Sequence, residues 1–412
     1  MNMSRAMAVI LIFGSALGAM AESLFSHVVV NQRWPWSEKV DVDFVLSGET
    51  CDVNVTATWA GHTEPYVLGL LFDAAPGHNR LTWDPADSPF AGQTLAGFTV
   101  ALACAPATVR RYLVVDLVHG GFSFLADVPP GGWAAEYKSS KMVFAKIPAG
   151  TYTLGETRAT FEHLAHYNPS SISGYCNRRT VVFTSDFYVG VFKYTEAQHA
   201  CLADGATSSS LVPQKISYEA LRGATTADQE TTVDWPSTGY KVSVGSVVDK
   251  LRKKTGGGLL VDLCEEEQWE AAARAGASTI WPNGGELSDD LDTLTGYLNQ
   301  LAAWKPTGAT ADTPVGTKSA NDYGLYDVCG LGGEWTLDKA RNNGSVPYYG
   351  LSDSVDPKGA DDNAYTHRVL RNANGINTTE SWQLLPCRRQ MAAPTSASFS
   401  TRFCIHLKPH VN

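Results

Sequence analysis

The chain has 412 residues, 44% of them hydrophobic and 18% charged, which is the composition of a globular protein with a sizeable core and excludes long disordered spans. A formal charge of −10 without any long basic block excludes nucleic acid as the expected partner, since nothing is arranged to neutralise phosphates. The short basic run Lys250–Lys254 reads as the solvated end of a helix.

At the N-terminus Arg5 precedes an apolar run from Ala6 to Leu17, and Ala19-Met20-Ala21 gives a small-x-small cleavage pattern ahead of Glu22. Residues 1–21 therefore read as a secretory signal peptide, too short for the roughly 20 apolar residues of a bilayer span. The mature protein is expected to be secreted, periplasmic or at the cell surface, with no membrane insertion after signal removal. That compartment permits disulfides. Of eight cysteines, Cys51 and Cys104 fall in the N-terminal part, and Cys176, Cys201, Cys264, Cys329, Cys387 and Cys404 lie beyond it. The spacing leaves the pairing of these six open.

Residues 22–128 read as an all-β domain. Lys39–Leu46 and Cys51–Trp59 alternate polar and apolar residues, the period of a strand with one wet face. Tyr66–Phe72, Gly92–Cys104 and Arg110–Leu117 are further strand candidates, separated by Ala75-Pro76-Gly77 and Asp84-Pro85. Short strands at this spacing predict a β-sandwich of immunoglobulin or fibronectin type. A Cys51–Cys104 bridge would tie two of its strands across the core. Trp34-Pro35-Trp36 is expected to pack in a core or between domains rather than to stack on sugars. Pro129-Pro130-Gly131-Gly132 opens a linker over 129–140.

The second domain, 141–412, is richer in Gly, Trp and Tyr at irregular spacing. Met142–Gly155 (M-V-F-A-K-I-P-A-G-T-Y-T-L-G) is a strand, a turn and a strand. His163 and His166 stand three apart, but no acidic or cysteine partner sits at a matching offset, so a loop is expected there. Val181–Tyr194 is strand-like, and Thr195 is an N-cap for a helix over Glu196–Ala203. Ser243–Thr255 has helical periodicity and stops at Gly256-Gly257-Gly258. Leu259–Gly276 (L-L-V-D-L-C-E-E-E-Q-W-E-A-A-A-R-A-G) is a strand running into a helix. Its Glu266, Glu267 and Glu270 are expected on an exposed first turn, as partners of the helix dipole rather than as catalytic acids. Asn321–Trp335 (N-D-Y-G-L-Y-D-V-C-G-L-G-G-E-W) is a glycine-punctuated core loop, where backbone must pass close to backbone. His367–Arg371 (H-R-V-L-R) and the residues Arg389, Pro394 and Phe403 follow.

Taken in order, these segments resemble the motifs of the formylglycine-generating-enzyme (sulfatase-modifying-factor) family: "F-x-x-I-P-x-G-x-F-x-M-G", "L-P-T-E-A-Q-W-E-Y-A-A-R-A-G", "G-L-x-D-M-x-G-N-V-W-E-W" and "R-V-x-R" with its closing arginine motif. The resemblance covers about 141–408. It implies an α+β fold in which the N-terminal β-sandwich is followed by a loop-rich, C-type-lectin-related domain of this family.

The chain also departs from the family's pattern. Cys264 stands where the motif has proline, and Asn372-Ala373-Asn374-Gly375 where it has "G-G-S-W". Formylglycine-forming members use two cysteines five apart near the C-terminus to bind copper(I), a soft ion that thiolates suit. There is no cysteine between Cys329 and Cys387, and the matching positions fall near Ile376 or Asn377 and at Ser381 or Trp382. Copper is therefore not expected. In the family's calcium loop Leu331 replaces asparagine and Gly333 tryptophan, leaving Glu334 and backbone carbonyls as candidate ligands of a structural calcium ion. The expectation is a non-catalytic member that binds a glycan or a peptide or protein through Asn372, Asn374, Asn377, Trp382 and Arg388. A divergent formylglycine-generating oxidase is the alternative, and a non-haem iron enzyme of the same superfamily the second.

Overall fold

The structure is a computed structural model; it describes residues 24–85, 88, 90–106, 110–156, 178–203, 208–224, 241–256, 259–285, 291–340, 354–358, 366–372, 384, 386–387 and 389–407. The expected signal peptide, His163, His166 and Cys176 lie outside them. The chain folds as two compact units. One is Met1–Val109 with Arg252–Leu260 and Leu407–Asn412, the other Arg110–Leu251 with Val261–His406.

The first unit contains β1 (Phe25–Gln32), β2 (Val40–Leu46), β3 (Cys51–Trp59), β4 (His62–Ala74), β5 (Gly77–Trp83) and β6 (Thr99–Pro106). They form two three-stranded sheets, β1-β2-β5 and β4-β3-β6. Alternation in β3 sends Val53, Val55 and Ala57 inward, where they join Val42 and Phe44 of the other sheet in one apolar core. This is the sandwich that the period-two pattern called for. Cys51 and Cys104 are bonded as expected. Their bridge, however, joins β3 to its sheet neighbour β6, where Cys104 lies opposite Val53, and does not cross the core. Trp34 and Trp36 are 65% and 89% exposed, so the packing expected of them is not realised.

The second unit starts earlier than the composition suggested. Its strands in chain order are β7 (Tyr112–Asp116), β8 (Phe122–Leu125), β9 (Lys141–Ile147), β10 (Gly150–Leu154), β11 (Arg179–Phe183), β12 (Phe187–Gly190), β13 (Leu259–Leu263), β14 (Ala302–Ala303), β15 (Cys329–Gly330), β16 (Glu334–Ala340), β17 (Ser354–Val355), β18 (His367–Arg371), β19 (Arg389–Ala392) and β20 (Phe403–Leu407). The strand expected to close the sandwich is β7, which pairs with β8 and β9 in the six-stranded sheet β13-β20-β12-β9-β7-β8. The expected linker is structural too: Pro129–Gly132 is a tight turn, and Trp133 and Tyr137 pack against the second core. An apolar strand buried on both faces gives no sign of which core it serves, which is why the boundary at 128 falls too late.

Smaller sheets, β10-β11-β17, β16-β18-β19 and β14-β15, accompany the helices of this region. These are α1 (Glu196–Leu202), α2 (Tyr218–Arg222), α3 (Val247–Lys254), α4 (Glu266–Arg274) and α5 (Leu291–Leu301). Strands outnumber helices, as the α+β expectation requires. Thr195 caps α1 with a reciprocal box: its hydroxyl accepts from Gln198 N at 3.1 Å, and Gln198 Oε1 accepts from Thr195 N at 3.1 Å.

Candidate functional site

The Asn321–Trp335 loop is the centre of the second unit. Asn321 anchors its start, donating to the carbonyls of Ala272 and Ala273 at the end of α4 (2.8 and 3.0 Å) while accepting from Leu325 N. Gly330 is required at φ +89°, because a Cβ there would lie 2.6 Å from the Ala303 carbonyl oxygen. The loop delivers Glu334 into a fully buried site. Glu334 Oε2 accepts from Arg402 Nε at 2.7 Å and Trp269 Nε1 at 3.0 Å, and Oε1 from Arg402 Nη2 at 3.1 Å. Lys193 Nζ lies 3.1 Å from Oε1 and donates to the Gly332 carbonyl at 2.5 Å. Burial raises the Glu334 pKa, but Arg402 and Lys193 outweigh it and hold the carboxyl at about 2.

Glu334 is therefore not the calcium ligand expected from its motif. Calcium needs six to eight oxygen ligands. Here both oxygens of Glu334 are engaged by two cations and an indole N–H, and an added divalent ion would face Arg402 and Lys193. The Lys193 ammonium already sits on the carboxylate and carbonyl oxygens such an ion would use.

A second ionic cluster surrounds α4. Every residue of this helix is buried, including Glu266, Glu267 and Glu270, so their expected exposure is corrected. Their partners come from three strands. Arg179 of β11 reaches Glu267 at 2.8 Å, Arg371 of β18 bridges Glu270 (3.1 Å) and Glu266 (3.3 Å), and Arg389 of β19 pairs with Glu266. Arg274, one turn further along α4, pairs with Glu270 at 2.8 Å and with Glu156 at 3.0 Å. Burial raises Glu270, but Arg371 and Arg274 bring it down to about 2. Asp338, which accepts from Glu266 N at 2.7 Å, is pushed up by burial and by Glu265, Glu266 and Glu267. Glu266, Glu267 and Asp338 bring oxygens within 4.8 Å of one another, but the two glutamates already have arginine partners.

Of the expected ligand contacts, Asn372 is 2% exposed and points inward. Its Oδ1 accepts from Gly330 N at 2.8 Å and its Nδ2 donates to the carbonyls of Asp327 and Gly330, so it clamps the loop rather than meeting a ligand. Its φ of +57° suits asparagine, which tolerates the left-handed region. Asn374, Asn377, Trp382 and Arg388 lie outside the described residues.

The opening that sequence reasoning missed is a cavity of about 560 Å³ beside β10. Residues of β10 with Tyr152 among them, Tyr323, Arg178, Arg274 and Ser278 line it, with no cysteine, histidine or carboxylate among the described residues of its wall. Arg178, Thr151, Thr153 and Ser278 are exposed. The Tyr152 hydroxyl donates to the Pro148 carbonyl and lies 3.4 Å from that of Tyr323. β10 pairs with β11 on one side and with no described strand on the other.

The described thiols lie elsewhere. Cys264, Cys329, Cys387 and Cys404 are buried, and burial pushes Cys329 up to about 12. Cys201 is half-buried and donates to the Ser139 carbonyl at 3.6 Å. Copper(I) wants accessible thiolates, and the four buried cysteines do not fit it.

Comparison with known proteins gives a family match and similar solved structures. The family model of the sulfatase-modifying factor enzyme 1-like domain matches residues 134–397. No curated protein matches the chain. Among solved structures, variable protein 1 of Treponema denticola is 17% identical, covering 65% of this chain and 96% of its own, with a TM-score of 0.42. PvdO from Pseudomonas aeruginosa is likewise 17% identical, covering 64% of this chain and 94% of its own, with a TM-score of 0.43.

Proposed function

The chain belongs to the sulfatase-modifying-factor family, and from that premise we propose that it is an exported, non-catalytic member that binds an extended peptide along the edge of β10 that pairs with no described strand. One observation carries this reading: no described thiol lines the cavity. The cavity wall offers aromatic, guanidinium, hydroxyl and main-chain groups but no described cysteine, histidine or carboxylate to act as nucleophile, acid or base. An unpaired strand edge is a row of free N–H and C=O groups, and a peptide that adds as a further strand satisfies them. Tyr152 and Tyr323 supply flat contact area, and Arg178 a charge at the rim.

A divergent oxidase is the second reading, favoured by Arg274. This residue lines the cavity and also lies within electrostatic range of Cys387 and Cys329. Mass spectrometry of a Cys-x-Pro-x-Arg peptide, incubated with the purified protein, copper(I) and oxygen, separates the two. An unchanged peptide beside an active positive control is the expected result; conversion of the cysteine to an aldehyde overturns the binding reading. Selection of displayed peptides on residues 22–412, with a glycan array in parallel, then identifies the ligand class. Enrichment of extended peptides is expected, and binding to glycans alone rejects the peptide. Export after Ala21 and kinship of the fold with C-type lectins belong to the same proposal; an exported protein whose N-terminus is not Glu22 contradicts the first.

A further inference from the structure

Cys264 follows β13 directly and Cys404 lies in β20, and these strands are neighbours in the six-stranded sheet. Both side chains are fully buried, and both belong to the same apolar core. Both are free thiols in the structure, and Cys264 Sγ approaches the carbonyl of Arg402, two residues before Cys404, at 3.9 Å. We propose that Cys264 and Cys404 form a second disulfide in the mature protein, closing the loop that carries α4, Glu334 and Arg402. The bond would lie within an existing strand pairing and asks for no new one.

The surroundings favour a disulfide over a reactive thiol. Burial pushes the Cys404 thiol up, with Cys264, Glu265 and Asp262 adding to the rise, so Cys404 is stabilised neither as a nucleophile nor as a soft-metal thiolate. A disulfide carries no charge and leaves nothing to titrate in the core. Formation removes one proton and one electron from each thiol. The electrons and protons pass to an oxidised disulfide donor, which leaves as two thiols through a mixed-disulfide step. Full burial places that exchange before the core closes. The proposal rests on the export reading for its oxidising compartment; supplying the oxidant in vitro separates the two.

The test is refolding of reduced residues 22–412 in a glutathione redox buffer, followed by alkylation and peptide mapping without reduction. The Cys264 peptide linked to the Cys404 peptide is expected, with the Cys51–Cys104 pair as internal standard. Alkylation of both Cys264 and Cys404 alongside an intact Cys51–Cys104 bridge overturns the proposal. In a Cys51→Ala/Cys104→Ala background, dithiothreitol should lower Tm by roughly 5–15 °C. Adding Cys264→Val to that background should abolish the drop, and an unchanged Tm in the parent background also overturns it. Mapping the same peptides in protein recovered from the native host tests the compartment alone.

Discussion

Lys193 is a buried cation whose neighbours justify it. Burial alone drives an ammonium to lose its proton, and Lys193 is indeed lowered by desolvation, with Glu334 opposing. In Lys193→Met, Glu334 keeps Arg402, and the expected loss is that of a charged hydrogen bond, about 1.5–3 kcal/mol. Glu334→Gln leaves both cations without their anion, and about 3–5 kcal/mol is expected. Chemical denaturation of the two variants checks the order; a Lys193 variant as damaging as the Glu334 variant would show that Arg402 is not the main partner. Calcium and chelators should leave the wild-type Tm unchanged, because the ammonium holds the oxygens a calcium ion would need. His406 makes a separate pH prediction. Burial lowers it to about 3, and Gln268 Nε2 lies 2.9 Å from its Nε2, an arrangement that suits a neutral ring accepting from the amide. The unfolded chain binds this proton below about 6.5 while the folded protein refuses it, so stability falls as pH falls from 6.5 towards 3. The stability difference between wild type and His406→Gln should therefore shrink by about 1.4 kcal/mol per pH unit in that window. A pH-independent difference would mean that His406 does not titrate there. Nothing in the sequence marked Lys193 or His406, because a lone lysine or histidine in a strand pattern gives no sign of its partners.

At the scale of elements, α4 shows how much a pattern can hide. Its acidic first turn fits a dipole rule for an exposed helix, and Trp269 and the alanines fit one buried face. The structure buries all nine residues, because β11, β18 and β19 bring Arg179, Arg371 and Arg389 over the turn expected to face water. Those arginines are distant in sequence, and spacing within the helix says nothing of them. The H-R-V-L-R and Q-W-E motifs thus read correctly as parts of one fold, and incorrectly as to what they do in it. Replacing Arg371 by Met strips cations from both Glu266 and Glu270 and should cost about 3–5 kcal/mol. A double-mutant cycle with Glu270→Gln should show positive coupling, and strict additivity would deny the pairing. By contrast α1 was fully legible, since the N-cap and its glutamine lie three residues apart. Thr195→Ala removes this cap and also the hydroxyl's bond to the Lys138 carbonyl, so the loss should fall near the upper end of about 0.5–2 kcal/mol.

Over the whole molecule, chain order of motifs proved a better guide than composition. Motifs spread from Met142 to Phe403 identified the second fold because their order along the chain is that of the family whose model matches residues 134–397. The division at 128 failed because β7 is apolar on both faces and gives no sign of which core it serves. The ligand-facing region was least legible: Asn372 turned out to clamp a loop, and the cavity by β10 is lined by residues from separate stretches of the chain, which spacing within any one stretch does not reveal. That composition of the wall has a consequence for binding. If main-chain hydrogen bonds to β10 hold the peptide, affinity for a neutral peptide should hardly change with ionic strength, even on a chain of net charge −10. Arg178→Glu should then weaken peptides carrying a carboxylate near the rim by about tenfold and leave neutral ones nearly unaffected, since Arg178 is exposed. Titration calorimetry at low and high salt reads both effects. A neutral peptide whose affinity collapses with salt would shift the binding from the strand edge to the protein's charge.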